Sequence, residues 1–177
     1  VSIRPSALPR APAAQAKGKV GRWFVAQVAL LAAALTLYVL VLIQGVDRHQ
    51  DFNAYLQAGR DLVQGHPLYA TFLHHPFPDP TLRPAFIYPP AFAILIAPLA
   101  MLPVWLGAAL WLIACQAALL ASLAIVIRAE RPSWSATVGI LCLTLTFYPL
   151  WVDIIQGQAN LLILLLVTGG IVGMVRA

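Results

Sequence analysis

Asp51 follows the first membrane-length apolar run and heads a polar loop that leads into Phe86-Ile87-Tyr88-Pro89-Pro90. An ionised carboxylate at a membrane surface can act as a general base, taking the proton of a hydroxyl as its oxygen attacks. Asp is also favoured where a helix begins, and a helical pattern begins here, so an N-cap is the competing reading. The Phe86 to Pro90 element places aromatics, Tyr88 among them, at headgroup depth, with prolines that open a helix. A plain aromatic belt before a helix start accounts for it equally. Asp153-Ile154-Ile155-Gln156-Gly157-Gln158-Ala159-Asn160 lies between two apolar runs. The amides of Gln158 and Asn160 cost free energy in hydrocarbon unless partnered. They suit sugar hydroxyls, and equally helix capping or bonding between helices. His74-His75 with Asp79 offers imidazole and carboxylate to a metal, yet adjacent histidines among prolines rarely converge on one ion. A surface loop, in reach of phosphate headgroups, is the better account; no metal or other cofactor is expected.

The elements that must position these groups are membrane spans. Of the 177 residues, 61% are hydrophobic and 10% charged, and the mean hydropathy is +0.84. An ordinary soluble domain is excluded. Charge is absent between Arg22 and Asp47, Arg83 and Arg128, Arg131 and Asp153, and Asp153 and Arg176. Each gap can hold a helix across a hydrocarbon core, which takes about 20 apolar residues. The net charge of +5 does not signal nucleic-acid binding. Arg4, Arg10, Lys17, Lys19 and Arg22 sit in a Pro- and Ala-rich tail directly before the first apolar run, as a positive-inside anchor on anionic lipid does. That run, Trp23 to Ile43, is too long for a secretory signal core and lacks a cleavage site after it. Cys115 and Cys142 fall inside apolar runs without metal-ligand spacing and read as packing residues.

The organisation expected is all-α: about four spans plus interfacial helices. Residues 1–22 form a cytosolic disordered tail, and 23–177 the membrane domain with an extracytosolic loop over 46–85. Within that loop, Asn53 to Gln64 carries Tyr55, Ala58, Gly59 and Leu62 at helical spacing, suiting a short helix on the membrane surface. The uncharged stretch 84–127 reads as two short crossings, or as one interfacial helix (88–102) before one span (104–127). Positive-inside bookkeeping favours the second, because it returns Arg128 and Arg131 to the basic side. Ser133 to Trp151 then crosses outward and Leu161 to Val175 returns. The end of the chain directly after a span reads as the N-terminal part of a longer protein.

Taken in order, Asp51, Tyr55, Gly65-His66-Pro67-Leu68-Tyr69, Phe86-Ile87-Tyr88-Pro89-Pro90, Ala97-Pro98-Leu99-Ala100-Met101-Leu102-Pro103 and Gly157-Gln158-Ala159-Asn160 carry a resemblance. Over roughly residues 20–175 the chain resembles the polyprenol-phosphate-mannose-dependent α-1,2-mannosyltransferases, glycosyltransferase family 87, of the GT-C superfamily. The resemblance implies a multispan plasma-membrane enzyme with a cytosolic N-terminus, whose first extracytosolic loop presents an acid to a lipid-linked sugar. Asp51 matches that acid, with Asp47 as the neighbouring alternative. The implied partners are the bilayer, a polyprenyl-phosphate sugar donor and a glycolipid or glycan acceptor. Tyr55, Arg60, His66, Tyr88, Gln158 and Asn160 are the candidate substrate-binding residues. Arg60, His66, His74, His75 and Arg83 share the acid's side of the membrane, where a leaving phosphate wants cations. A transporter or lipid-flipping protein is the rival reading, and a noncatalytic membrane subunit a third. Transport calls for ionisable groups near mid-bilayer, whereas the acids here cluster at one face.

Overall fold

Seven helices account for most of the described chain, and no strand occurs among the described residues. A computed structural model describes residues 13–48, 50–69 and 86–176, with side chains for 21–45, 51–69 and 86–176. The helices are α1 (Ala13–Arg48), α2 (Gln50–Gln64), α3 (Pro90–Ala100), α4 (Val104–Glu130), α5 (Trp134–Leu145), α6 (Tyr148–Gln156) and α7 (Asn160–Arg176). The molecule is an all-α membrane protein. Gly21–Gly45 within α1 and the whole of α4 are long and apolar enough to cross a bilayer. Helix α1 begins ten residues before Trp23, inside the stretch expected as a disordered tail; residues 1–12 of that tail lie outside the described residues.

Two expectations change. The single outward crossing over Ser133–Trp151 is broken into α5 and α6, which meet at a bend of 48°. Pro149 explains the break: it has no N–H to give to the Leu145 carbonyl one turn back. The indole of Trp151 takes that carbonyl instead, donating from Nε1 at 2.7 Å. With the bent pair taken as one crossing, three helical units reach span length. Helix α7 has 17 residues, at the short end of the spanning range, so the described chain has two to three helical units of clear span length and a fourth at the limit, against about four spans expected. In contrast, the choice over 84–127 resolves as favoured. Helix α3 has 11 residues, about 16 Å of rise, half a hydrocarbon thickness. Pro90 opens it, Pro98 sits near its end, and Pro103 caps the N-terminus of α4.

Contacts between helices sort the ends of the bundle. Phe24 stacks on Trp134 with ring centroids 6.0 Å apart, and Gln27 Nε2 donates to Ser135 Oγ. The beginning of the apolar stretch of α1 and the start of α5 therefore lie together. Arg176 Nη2 donates to the Arg128 carbonyl, so α4 and α7 run parallel and finish together. Arg22, Arg128, Arg131 and Arg176 consequently gather at one end, three of them within a few residues of a helix terminus. At the other end Gly45 of α1 meets Ile154 of α6 so closely that a Cβ there would lie 2.9 Å from Ile154 Cγ2. Helices α2 and α3 cover this second end, which holds Asp51 and Asp153. Charge is thus segregated along the bundle as the sequence pattern implied.

The apolar face of α2 is covered by protein. Phe52, Ala54, Tyr55, Leu56 and Ala58 are all at most 6% exposed, and α2 packs along α3. Gly59 lies against Ala97 and Ala100; a Cβ at that position would come within 2.8 Å of Ala100 Cβ. The face expected to rest on lipid instead forms an interhelical seam. Small residues on both helices let the backbones approach.

Candidate functional site

An aromatic cluster holds Asp51's helix in place. Phe52 stacks on Trp111 of α4 at 5.4 Å, and Tyr55 meets Tyr88, Phe92 and Trp111 edge to face at 5.0 to 5.7 Å. Each such pair contributes about 0.5–1.5 kcal/mol beyond its area. The Tyr55 hydroxyl donates to the Tyr88 hydroxyl at 2.9 Å, and the Tyr69 hydroxyl donates to the Tyr88 carbonyl at 2.8 Å. Burial, then the Tyr88 hydroxyl, then the charges of Asp51 and Asp153 push the Tyr55 phenol above the ordinary tyrosine range. At 1% exposure Tyr55 is enclosed. It positions α2 and Tyr88 and has no surface left for a substrate. Tyr88 is partly exposed and keeps that possibility.

Asp51 lies in the first turn of α2, one step inside the helix, where an acid suits the positive end of the helix dipole. At 3.6 residues per turn Tyr55 is about 40° round the helix from Asp51, and Arg60 about 180°. Asp51 therefore shares the buried face, while Arg60 is on the far side. There Arg60 Nε donates to the Ala100 carbonyl at 3.2 Å and closes the C-terminus of α3. Arg60 also lines a polar depression of about 480 Å³ with Asn53, Gln57 and Asp61. His66 is exposed, with Nδ1 3.7 Å from Asp61 Oδ1. Neither Arg60 nor His66 is brought to Asp51. Asp47's side chain, and the whole of His74, His75, Asp79 and Arg83, lie outside the described residues.

Asp153 lies at the same end of the bundle as Asp51, on a helix, α6, that touches α2. Asp153 stands on the last turns of α6, where Gly157 ends the helix with a φ of 72° that only glycine adopts without strain. The Gly157 N–H bonds the Ile154 carbonyl, and the Gln158 N–H bonds the Asp153 carbonyl at 2.9 Å. Helix α4 secures the turn from outside: Trp111 Nε1 donates to the Gly157 carbonyl at 2.9 Å, and Cys115 Sγ to the Gln158 carbonyl. Held this way, Asn160 Nδ2 donates to Asp153 Oδ1 at 2.7 Å and to Gln158 Oε1 at 2.8 Å, while Gln158 donates to Gln156.

Asn160 thus bonds from α7 to α6, one of the readings set beside sugar binding, and Gln158 bonds within the turn. Asp153, 5% exposed, is their common anchor, and its Oδ2 has no hydrogen-bond partner. A buried acceptor left in that state costs free energy. Reasoning from sequence missed Asp153 as a site residue. The signal was present: it is the sole charge between Arg131 and Arg176. An apolar groove of about 530 Å³ opens beside it, lined by Leu119, Leu143, Leu161 and Leu164 with Asp153 and Asn160.

The arrangement pairs a half-exposed acid and a buried one at the acidic end of a membrane bundle, with a hydrocarbon-lined groove alongside. Neither the curated proteins nor the solved structures contain a match to the chain. A family-wide sequence model described as "Glycosyltransferase family 87" matches residues 86–177, just over half of the chain, taking in the aromatic helix start, α3, α4 and the Asp153–Asn160 turn. The chain belongs to glycosyltransferase family 87, and is a membrane glycosyltransferase.

Proposed function

We propose that the protein transfers a mannosyl residue from a polyprenyl-phosphate donor to an extracytosolic glycolipid or glycan acceptor, with inversion and with Asp51 as general base. The observation that supports this reading is the place of Asp51: the acidic end of the bundle, in the first turn of α2, which packs along α3 and touches α6, both within the family-matched stretch. The basic end, with Arg22, Arg128, Arg131 and Arg176, then faces the cytosol, and the acid faces outward across the plasma membrane.

One carboxylate is enough for this chemistry. The acceptor oxygen attacks the anomeric carbon while its proton passes to Asp51. The bond from that carbon to the phosphate oxygen breaks, and the polyprenyl phosphate departs as a stable anion. Glycosidases need a second carboxyl to protonate an alkoxide leaving group; a phosphate does not. Attack opposite the leaving group inverts the anomeric centre. Arg60 is turned away on α2, so the phosphate's cationic partner in this scheme comes from another segment.

Asp51→Asn in the whole protein, assayed with polyprenyl phosphate mannose in membranes, tests the base. Loss of transfer at normal expression is expected, alongside an active Asp47→Asn control. Near-normal transfer by Asp51→Asn would remove it from catalysis. Cysteine-accessibility labelling at Asn53, exposed on α2, tests the orientation: labelling from the cytosolic side only would overturn the proposal.

A further inference from the structure

We propose that the polar depression along α2 binds sugar residues of the acceptor beyond the one whose hydroxyl attacks, so that the enzyme favours an oligosaccharide over a single sugar. This rests on the reading of Asp51 as the base to which an acceptor hydroxyl is presented.

The depression has a volume of about 480 Å³, within the range of ordinary ligand sites. Its polar groups both give and take hydrogen bonds. Arg60 uses Nε on the Ala100 carbonyl, which leaves its two terminal amino groups as donors. Gln57 Nε2 donates to Asp61 Oδ1 at 2.8 Å, so the amide oxygen of Gln57 and the second oxygen of Asp61 remain as acceptors. Asn53, exposed on the same side of the helix, offers one of each. Leu68 and Phe86 add an apolar wall. A sugar ring matches this mixture, because its hydroxyls give and accept while its C–H faces pack on hydrocarbon. An anion meets the Asp61 carboxylate and a cation the Arg60 guanidinium, each a repulsion. A lipid tail would strip water from these polar groups and return no hydrogen bond.

The depression also runs toward the base. Ala54 lines it and stands three residues on from Asp51, a spacing that makes side chains on a helix neighbours, with Cβ atoms about 5–6 Å apart. From Asp51 to Arg60 and Asp61 the helix rises about 14–15 Å. One ring cannot bridge that length, so a ligand that meets Asp51 and the Arg60–Asp61 pair together is a chain of sugars. The close contact of Gly59 with α3 and the stacking of Phe52 on Trp111 hold α2 in place, which keeps base and depression at a fixed spacing. The turn of the helix that takes Arg60 away from the leaving phosphate is what brings it to this site.

The intact protein in nanodiscs is assayed with polyprenyl phosphate mannose and two acceptors, methyl α-mannoside and α-linked mannotetraose. KM for the tetrasaccharide should lie on the order of tenfold below that for the monosaccharide. Asn53→Ala removes an exposed amide, and Gln57→Trp fills the middle of the depression from a half-exposed position. Each should raise the tetrasaccharide KM about fivefold, the scale of a lost hydrogen bond, with kcat and the donor KM within about twofold. A folding defect would instead lower kcat with both acceptors. Equal KM values for the two acceptors, or a tetrasaccharide advantage that survives both variants, overturns the proposal. A rise in donor KM does so too, because it would make the depression part of the donor site. Saturation-transfer NMR with mannotetraose reads binding without turnover, and no signal from the unaltered protein is a further refutation. Asp51→Asn separates the two readings: it should still bind the tetrasaccharide. If it also retains transfer while the length preference holds, the base assignment fails and the subsite stands.

Discussion

Asp51 and Asp153 occupy the same end of the bundle in opposite surroundings. Asp51 sits in the first turn of a helix fastened from behind by aromatic rings, and its own side chain is half-exposed. Asp153 is closed in by α4, α6 and α7, with one oxygen held by Asn160 and the other bare. A group that must exchange a proton with an incoming hydroxyl needs access; the first region has it, and the second, sealed and hydrogen-bonded, has not. The family match, which begins at Phe86, includes Asp153 and leaves Asp51 to geometry and to the resemblance of the loop.

The sharpest test of this contrast is a pair of isosteric changes. Asp51→Asn should lower the transfer rate by about 10²–10⁴, the usual reach of a general base, whereas Asp153→Asn, at a buried side chain, should act mainly on thermal stability. Equal losses of kcat in both variants would break the comparison. Next in size is the seam that carries Asp51. Gly59→Val should destabilise the protein by about 1–3 kcal/mol, since its Cβ would start 2.8 Å from Ala100 Cβ; thermal unfolding in detergent measures it. Gly157→Ala probes the other region. An alanine at a φ of 72° costs about 1–2 kcal/mol, which thermal unfolding in detergent measures. Tyr55→Phe should cost about 0.5–1.5 kcal/mol for the lost bond to Tyr88, with little change in the chemical step. Smallest is Arg60→Gln. It loosens the end of α3 and should leave KM for the donor within about twofold, because opposite faces of α2 separate it from Asp51. A large rise in that KM would return Arg60 to the phosphate site.

How much of this was legible beforehand varies residue by residue. The helix over Asn53–Gln64 was readable because Tyr55, Ala58, Gly59 and Leu62 recur at its period, and α2 covers Gln50–Gln64. Its partner was not, since an apolar stripe looks alike whether lipid or another helix covers it. The break at Pro149 was visible in the letters, and the expected span ran through it. A single proline in a long uncharged run is ambiguous until one sees whether another donor, here Trp151, takes over the freed carbonyl. Gln158 and Asn160 were marked as polar groups needing partners, which they have. The choice of partner, Asp153, depends on the tight turn at Gly157. Arg60 and His66 shared a loop with Asp51 in sequence, but helical periodicity turns Arg60 to the opposite side, and His66 lies beyond the helix end with Asp61.

Sequence by itself determined the medium, the helical class, the segregation of basic and acidic ends, and the family. The first three follow from composition and charge spacing, which neighbouring residues set among themselves, and the family from the match to its sequence model. Only the tertiary structure decided that two carboxylates about a hundred positions apart would stand at one end of the bundle, on helices that touch. That outcome depends on α2, α4, α6 and α7 packing at close range, where small residues, ring stacking and a left-handed glycine fix distances that no local pattern encodes.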